Sequence, residues 1–212
     1  MSELLLEISQ TLQRGKAKAV KELVQKALDE GIDAGVILND GLLAGMSVVG
    51  EKFKNDEIFV PEVLVAARAM NMGASLLKPF LSSENVESRG RVCIGTVKGD
   101  LHDIGKKLVA MMMEGKGLEV IDLGVDVDAG AFVQTAIEKD CQIICCSALL
   151  TSTMDEMKTV IAKMEEAGIR DKVKIMIGGA PVSQGFCDAS GADAYTPDAA
   201  SAAEVAVELC KG

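Results

Sequence analysis

The sequence predicts two domains, a bundle of short helices followed by a doubly wound sheet of parallel strands with helices on both faces. Three observations carry this fold class. Residues 4–81 show helical periodicity throughout, residues 91–211 alternate between short β-rich runs and helical segments, and a polar stretch separates the two patterns. The chain has 212 residues, of which 49% are apolar, and so can supply a sizeable core.

The amino-terminal part predicts four short helices that pack as a small bundle. Apolar residues recur there at spacings of three and four, so that each helix buries one stripe. Gly15 and Gly31 end the first two helices, and Pro61 lies just inside the last, where its missing N–H does no harm. The positions that form the stripes are Leu5, Ile8, Leu12, Val20, Val24, Leu28, Leu42, Met46, Val49, Phe53, Val60, Val63, Ala67 and Met70.

Small and charged residues then interrupt all periodicity from Ser82 to Gly90. Such a composition is typical of a linker between domains. We therefore expect a helical cap domain over residues 1–88 and an α/β domain over residues 89–212.

The second part predicts five strand-helix units. Strands are expected at 91–96, 119–123, 142–147, 174–178 and 192–195, and helices at 104–116, 129–139, 154–167, 182–190 and 200–211. This order indicates a Rossmann-like, flavodoxin-like sheet of five parallel strands. Right-handed crossovers place the loops that follow all five strands at one edge, so residues distant in sequence meet there.

The loop after the first predicted strand contains His102, the single histidine of the chain. This strand-to-helix junction is where open α/β sheets bind ligands, and Asp103 is suited to cap the helix that follows. Asp100 lies two residues before the histidine and could accept the proton of its second ring nitrogen, as carboxylates do behind metal-ligating histidines. A solvated turn histidine beside a helix cap is equally compatible with the local pattern.

Two further loops at the same edge carry unusual residues. Ser147–Thr153 contains four hydroxyl groups, and Gly178–Gly179 removes side chains at the end of a strand. Helix capping by Thr153 and a tight glycine turn would account for both. Alternatively, a long ligand lies against bare backbone and bonds the hydroxyls. The first loop has neither a GxGxxG motif nor the lysine of a phosphate-binding loop.

Composition excludes several classes of function. The formal net charge of −10 opposes a nucleic-acid or anionic-membrane partner, and 3% aromatic residues leave little for base stacking. No apolar stretch reaches eighteen residues and the amino terminus lacks signal-peptide features, so a cytoplasmic protein is expected. The six cysteines form no CxxC pair, and we expect reduced thiols in the core rather than structural zinc.

Three motifs in this order resemble the signature of the cobalamin-binding domain shared by methionine synthase and corrinoid methyltransferase proteins. They are Asp100-x-His102-x-x-Gly105, Ser147-x-Leu149 and Gly178-Gly179. Residues 46–50 and 59–63 resemble the helical cap of that family, so the resemblance covers nearly the whole chain. Its nearest form is the small corrinoid protein of methylamine, methanol and methoxy-compound methyltransferase systems.

The resemblance implies a set of site residues. His102 would replace the benzimidazole of cobalamin as lower axial ligand to cobalt, Asp100 would hold the imidazole, and Thr153 or, as the alternative, Thr151 would hold Asp100. The helical cap would cover the upper face of the corrin, although the cap residues suggested for this contact are equally compatible with the core. The cofactor-binding residues would be Gly99, Asp100, Leu101, His102, Asp103 and Gly105 in the first loop, Ser147, Leu149, Thr151, Gly178 and Gly179 along the crevice for the nucleotide tail, Tyr195 and Ala199 on its far side, and Phe59, Ala66 and Met70 in the cap.

The resemblance also implies a methyl carrier that is not catalytic alone. Cobalt(I) would accept a methyl group from a substrate-specific methyltransferase, and methylcobalt(III) would pass it to a second methyltransferase with tetrahydrofolate or a thiol as acceptor. A reductive activator would restore oxidised cobalt. Two alternatives remain, the small cobalamin-binding subunit of an adenosylcobalamin mutase and a cobalamin-sensing regulatory module. The helical part argues against the first, and the acidic charge with no recognisable DNA-binding segment argues against the second.

Overall fold

The computed structural model describes residues 3–80 and 89–211 of the chain. The chain divides into two compact units, one of residues 1–87 with Gly115–Gly117 and the other of residues 88–114 with 118–212. The predicted linker, residues 82–90, lies outside the described residues except at its last two positions.

The first unit is helical, as predicted. Its elements are α1 (Glu3–Gln13), α2 (Ala17–Asp29), α3 (Ala34–Val36), a π-helical stretch (Ile37–Leu43), α4 (Ala44–Lys54), α5 (Val60–Leu77) and a short 3₁₀ turn (Lys78–Phe80). Because α3, the π-helical stretch and α4 follow one another without a break, residues 3–80 of this unit form four helical segments. The periodicity of the sequence predicted the helix but not its π-helical part, which contains Leu42 of the predicted stripe.

Glycines with positive φ angles end the first two helices of this unit. Gly15 has a φ of 65° and Gly31 a φ of 78°, values that glycine adopts without strain. Ile8 and Leu12 before the first turn and Val20 after it are fully buried, so most of the predicted stripe residues form the core of the bundle, whereas Leu28, Phe53 and Val60 are half-buried.

The second unit is a sheet of five parallel strands in the order β2-β1-β3-β4-β5, the doubly wound arrangement that the sequence predicted. The strands are β1 (Arg91–Thr96), β2 (Glu119–Asp122), β3 (Ile143–Ser147), β4 (Lys174–Gly178) and β5 (Ala194–Tyr195). The helices are α6 (Ile104–Gly115), α7 (Ala129–Glu138), α8 (Asp155–Glu166), α9 (Gln184–Ser190) and α10 (Ala199–Leu209).

Strand β5 is shorter than predicted because a side chain takes part in its pairing. The N–H of Ile175 in β4 donates to the carboxylate of Asp193 at 2.7 Å, while the N–H of Asp193 donates back to the Ile175 carbonyl at 2.9 Å. The strand ladder therefore begins one residue later, at Ala194.

The centre of the sheet is apolar on both faces. Ile143, Ile144 and Ile175 are fully buried, and Gly95 in β1 leaves space for the ring of Phe132, since a Cβ there would lie 2.8 Å from ring atoms. The cysteines of β1 and β3 are free and buried, as expected of thiols in a core. The strand order reverses between β1 and β3, and the carboxyl ends of the strands at such a reversal are where open α/β sheets bind ligands.

None of the helices among the described residues is both long enough and apolar enough to span a lipid bilayer.

Candidate functional site

The loop after β1 turns sharply before it reaches the histidine. Val97 and Asp100 close this turn through a bond from the Asp100 N–H to the Val97 carbonyl, 3.2 Å long. Gly99 occupies the third turn position with a φ of 80°, a region that side chains other than glycine rarely adopt. The turn points the Asp100 carboxylate inward and leaves His102 at the edge of the sheet.

Asp100 is completely buried, and both of its carboxylate oxygens are hydrogen bonded. Oδ1 accepts bonds from the backbone N–H of His102 at 3.1 Å and from the Nδ1 of its ring at 2.7 Å. Oδ2 accepts bonds from the backbone N–H groups of Leu149 and Leu150, at 2.7 and 3.1 Å, and from the hydroxyl of Thr153 at 3.0 Å. The carboxylate thus joins the loop after β1 to the loop after β3.

These bonds determine the charge of Asp100. Burial by itself would raise the pKa of this carboxyl, because it disfavours the charged form. The hydrogen bonds from the His102 ring and backbone, and from the Leu149 and Leu150 N–H groups, outweigh burial and hold the pKa of Asp100 well below its usual range. The proton between Asp100 and His102 therefore belongs to the imidazole.

His102 consequently has one ring nitrogen engaged and one facing the sheet edge. Its side chain is 51% exposed while Nδ1 donates to Asp100, so Nε2 is the nitrogen left for a ligand. The ring is therefore half-exposed, as a solvated turn histidine would be, and is in addition paired with a fully buried carboxylate.

Thr153 does not act as a helix cap, the simpler of the two roles considered for it. Helix α8 starts at Asp155, and Met154 occupies the capping position. The Thr153 hydroxyl instead lies 3.0 Å from both the Asp100 carboxylate and the Leu150 carbonyl. Its single proton favours the charged acceptor, since charge-assisted bonds are the stronger ones. Thr151, the alternative for this contact, is exposed.

Three apolar side chains in the loops that hold Asp100 and His102 or at the start of α6 are exposed. Leu101 and Ile104 are 72% and 75% exposed, and Leu149 is 44% exposed. Gly105 lies in the first turn of α6, and a Cβ there would meet no atom within 4 Å. The space and the apolar surface suit a large, flat and mostly apolar ligand above the histidine.

Asp103 precedes α6 at the capping position that the sequence predicted. Its carbonyl accepts the first intrahelical bond, from the Lys107 N–H at 2.8 Å, and its carboxylate forms an ion pair with the Lys107 ammonium. The role of Asp103 visible here is therefore at the start of the helix.

The two glycines at the end of β4 differ in what they permit. Gly179 has a φ of 129°, and a Cβ there would lie 1.8 Å from the Ala148 carbonyl oxygen, so the backbone itself requires glycine. Gly178 has no such angle, and a Cβ there would meet nothing within 4 Å. Gly178 pairs with Ser147 at the end of β3, so this open space lies at the carboxyl edge of the sheet.

The remaining predicted site residues lie in several places. Tyr195 is half-buried against the core of the sheet unit, and Ala199 is buried at the start of α10. In the helical unit Phe59 is 67% exposed, whereas Ala66 and Met70 are buried. Whether any of these five residues contacts a cofactor stays a prediction.

Sequence reasoning missed three groups that hold the loop after β1. The Thr96 hydroxyl donates to the His102 carbonyl at 2.7 Å, and the Asp126 carboxylate accepts the Gly99 N–H at 2.7 Å. The buried Lys106 ammonium forms an ion pair with Asp122 at the end of β2. Thr96 and Asp122 are the last residues of their strands, which was a usable signal, but no spacing rule links any of these groups to His102.

Comparison with known proteins gives a consistent result for both units. Two models of B12 binding domains match the chain, one over residues 90–206 and the other over residues 4–78. Trimethylamine corrinoid protein 1 of Methanosarcina acetivorans is 46% identical over 176 residues, which are 82% of each chain. The dimethylamine corrinoid protein of Methanosarcina barkeri is 41% identical over 208 residues, or 98% of this chain and 97% of that protein.

A solved structure also resembles the chain. The crystal structure of the methanol:cobalamin methyltransferase complex from Methanosarcina barkeri contains a chain that matches with a TM-score of 0.91 and 31% identity. The match covers 100% of this chain and 81% of that chain.

Proposed function

Because this chain belongs to the corrinoid proteins of methyltransferase systems, which are built from B12 binding domains, we propose that it carries methyl groups on cobalamin between two partner enzymes. One partner would be a substrate-specific methyltransferase, and the other a methyltransferase that uses tetrahydrofolate or a thiol as acceptor. The chain would be non-catalytic alone, and a reductive activator would serve it. The cytoplasmic location also remains a prediction.

The observation that carries the proposal is the pair of Asp100 and His102. The 2.7 Å bond from Nδ1 to the buried carboxylate fixes the ring and its tautomer, and it leaves Nε2 at the open edge of the sheet. A neutral imidazole with a carboxylate behind it is the usual form of a histidine ligand to a metal. His102 would therefore be the lower axial ligand of the cobalt.

The surroundings of His102 suit a corrinoid. Leu101, Ile104 and Leu149 would contact the apolar underside of the corrin, and the bare backbone at Gly105 would allow the ring to approach α6. Since glycine in a helix lowers stability by roughly 0.5–1 kcal/mol relative to alanine, a glycine with free space around it favours a close ligand contact. The crevice beside Ser147 and Gly178 would take the nucleotide tail.

The bound corrinoid would supply the chemistry, which is the uptake and release of a methyl group at cobalt. The chain's own contribution would be position and electronics. Asp100, held anionic by Leu149, Leu150 and Thr153, would keep the proton on Nδ1 and make Nε2 a better donor. Coordination by His102 would set the stability of the different cobalt oxidation states.

We propose that the first partner takes its methyl group from a small methylated amine or from methanol. The relatives are named for trimethylamine and dimethylamine, and the similar crystal structure for methanol. This chain would meet the donor through its partner enzyme, which would hold the selectivity.

Electron paramagnetic resonance of the full chain loaded with cobalamin tests the proposal. His102 is the single histidine, so labelling all histidine with ¹⁵N labels one imidazole. We expect the splittings of the cobalt(II) spectrum to change from triplets to doublets on labelling, and the axial nitrogen to be lost in His102→Ala. Triplets in the labelled protein would show that benzimidazole remains the ligand, and the proposed site would be wrong.

A further inference from the structure

We propose that Thr96 and Asp126 are positioning residues for His102, which hold the backbone of its loop and so set the distance from Nε2 to the metal. This inference rests on the proposed function. Asp100 orients the ring within its plane, but the height of the ring above the sheet depends on where the backbone of residues 99–102 lies. The contacts that determine this backbone come from β1 and from the loop after β2.

Thr96 is the last residue of β1 and is completely buried. Its hydroxyl donates to the His102 carbonyl at 2.7 Å. Both of its backbone groups bond to the loop after β2, since the Thr96 N–H donates to the Gly124 carbonyl and the Thr96 carbonyl accepts from the Val127 N–H, each at 3.0 Å. The hydroxyl therefore links His102 to a residue whose own backbone is fixed at the end of β1.

Asp126 holds the preceding turn at two points. Its carboxylate accepts the Gly99 N–H at 2.7 Å, and its own N–H donates to the Asp100 carbonyl at 3.0 Å. Asp126 has a φ of 54°, which is uncommon for residues other than glycine and is tolerated by aspartate and asparagine. The next residue, Val127, is bridged to Val97 at the end of β1, so this contact is also carried by the sheet.

Packing does little to fix the loop, because its apolar side chains face outward. Leu101 and Ile104 flank the histidine and are largely exposed. Gly99, with its φ of 80°, adds conformational freedom before Asp100. The loop is therefore held mainly by hydrogen bonds, and metal ligation tolerates displacements of only about 0.5 Å.

The test compares Thr96→Val with Thr96→Ser in the full chain loaded with cob(II)alamin. Valine matches threonine in shape and removes the hydroxyl, whereas serine keeps it. The ratio of histidine-coordinated to uncoordinated cobalt(II) should fall about fivefold in Thr96→Val, which corresponds to about 1 kcal/mol for one lost hydrogen bond. Thr96→Ser should stay within about twofold of wild type. The cobalt(II)/cobalt(I) midpoint potential should rise in Thr96→Val, since weaker axial ligation favours cobalt(I).

Asp126 gives an independent pair of variants that preserves the unusual backbone angle. Asp126→Gly accepts a φ of 54° without strain and loses the acceptor, whereas Asp126→Asn keeps an oxygen for the Gly99 N–H. We expect the same loss of coordination in Asp126→Gly and its recovery in Asp126→Asn. This pair carries the test alone if Thr96→Val does not fold.

The cofactor-free protein offers a second measurement. With ¹⁵N-histidine, the Nδ1 proton of His102 gives one signal by nuclear magnetic resonance, and it should broaden in Thr96→Val and Asp126→Gly but remain sharp in the conservative variants. His102→Ala serves as the reference for uncoordinated cobalt. If wild type gives the same cobalt spectrum as His102→Ala, the proposed ligation and this inference both fail. If wild type differs from His102→Ala while Thr96→Val and Asp126→Gly match wild type, the inference alone is wrong.

Discussion

Asp100 and Thr153 stand 53 positions apart in the sequence, yet the threonine hydroxyl donates to the aspartate carboxylate at 3.0 Å. The bond connects the loop after β1 to the loop after β3, the two loops that flank the reversal of strand order. It completes a chain of hydrogen bonds from Thr153 through Asp100 to His102. Each of these three side chains can be replaced separately by mutation.

Removing the Thr153 hydroxyl should weaken both the fold and the histidine ligation. Thr153→Val deletes one of three donors to the buried Oδ2 and should lower the free energy of unfolding by about 1 kcal/mol. The fraction of histidine-coordinated cobalt(II) should also fall. Denaturant unfolding and paramagnetic resonance measure the two effects.

Two controls accompany this variant. Thr153→Ser keeps the hydroxyl and should restore both properties, while Thr151→Val changes an exposed neighbour and should alter neither. If Thr151→Val weakens ligation as much as Thr153→Val, Thr151 also holds the Asp100 carboxylate and our assignment of this role to Thr153 alone is wrong.

Asp100→Asn should be more damaging than Thr153→Val. An asparagine that offers its oxygen to His102 turns its NH₂ toward the Leu149 and Leu150 N–H groups, and an asparagine flipped the other way loses the bond to the ring. Leaving buried donors without an acceptor costs about 1–3 kcal/mol each. We expect a loss of about 3 kcal/mol in unfolding free energy and of most histidine coordination, measured as above. A variant as stable as wild type would contradict the role of the carboxylate.

Acid should remove the stability that Asp100 provides. Its pKa in the folded protein is lower than in the unfolded chain, where a value of about 3.9 is usual, so the unfolded state binds protons more readily as the pH falls. The stabilisation is fully present above that usual value and declines as the pH falls below it. The difference in unfolding free energy between wild type and Asp100→Asn should therefore shrink from about pH 5 downward. A difference that stays constant down to about pH 2 would show that the charge of Asp100 does not stabilise the fold.

The neighbouring glycines of β4 should respond in opposite ways. Gly178→Leu adds a side chain where the structure has free space, so the protein should fold with a stability within about 1 kcal/mol of wild type and yet bind cobalamin poorly. Gly179→Ala forces a Cβ against the Ala148 carbonyl oxygen at a strained angle and should lower stability by about 1–3 kcal/mol or more. Thermal unfolding and gel filtration with bound corrinoid measure the two properties.

A corrinoid without the nucleotide tail gives the control for this pair. Cobinamide should bind Gly178→Leu and wild type equally well, because it leaves the crevice empty. Weak binding of cobinamide to Gly178→Leu would place the leucine under the corrin ring and would contradict our position for the tail.

Much of this fold was predictable from local patterns. The spacing of apolar residues and the positions of glycines located the helices of the first unit and all five strands of the second, since both signals depend on residues close in sequence. The departures have local causes that pattern does not reveal. The π-helical stretch (Ile37–Leu43) buries Ile37, Gly41 and Leu42, and the carboxylate of Asp193 replaces backbone pairing before β5.

By itself, the sequence determined that His102 follows the first strand, that Asp100 lies close enough to pair with it, and that three motifs meet at one sheet edge. Only the tertiary structure decided that Thr153 rather than Thr151 reaches Asp100, that Thr96 and Asp126 hold the loop, and that Gly179 rather than Gly178 is required by the backbone. The reason is physical. A pairing two residues apart is limited by the chain itself, whereas a bond across 53 positions depends on the register of β1 beside β3 and on the exact path of both loops, which no local pattern encodes.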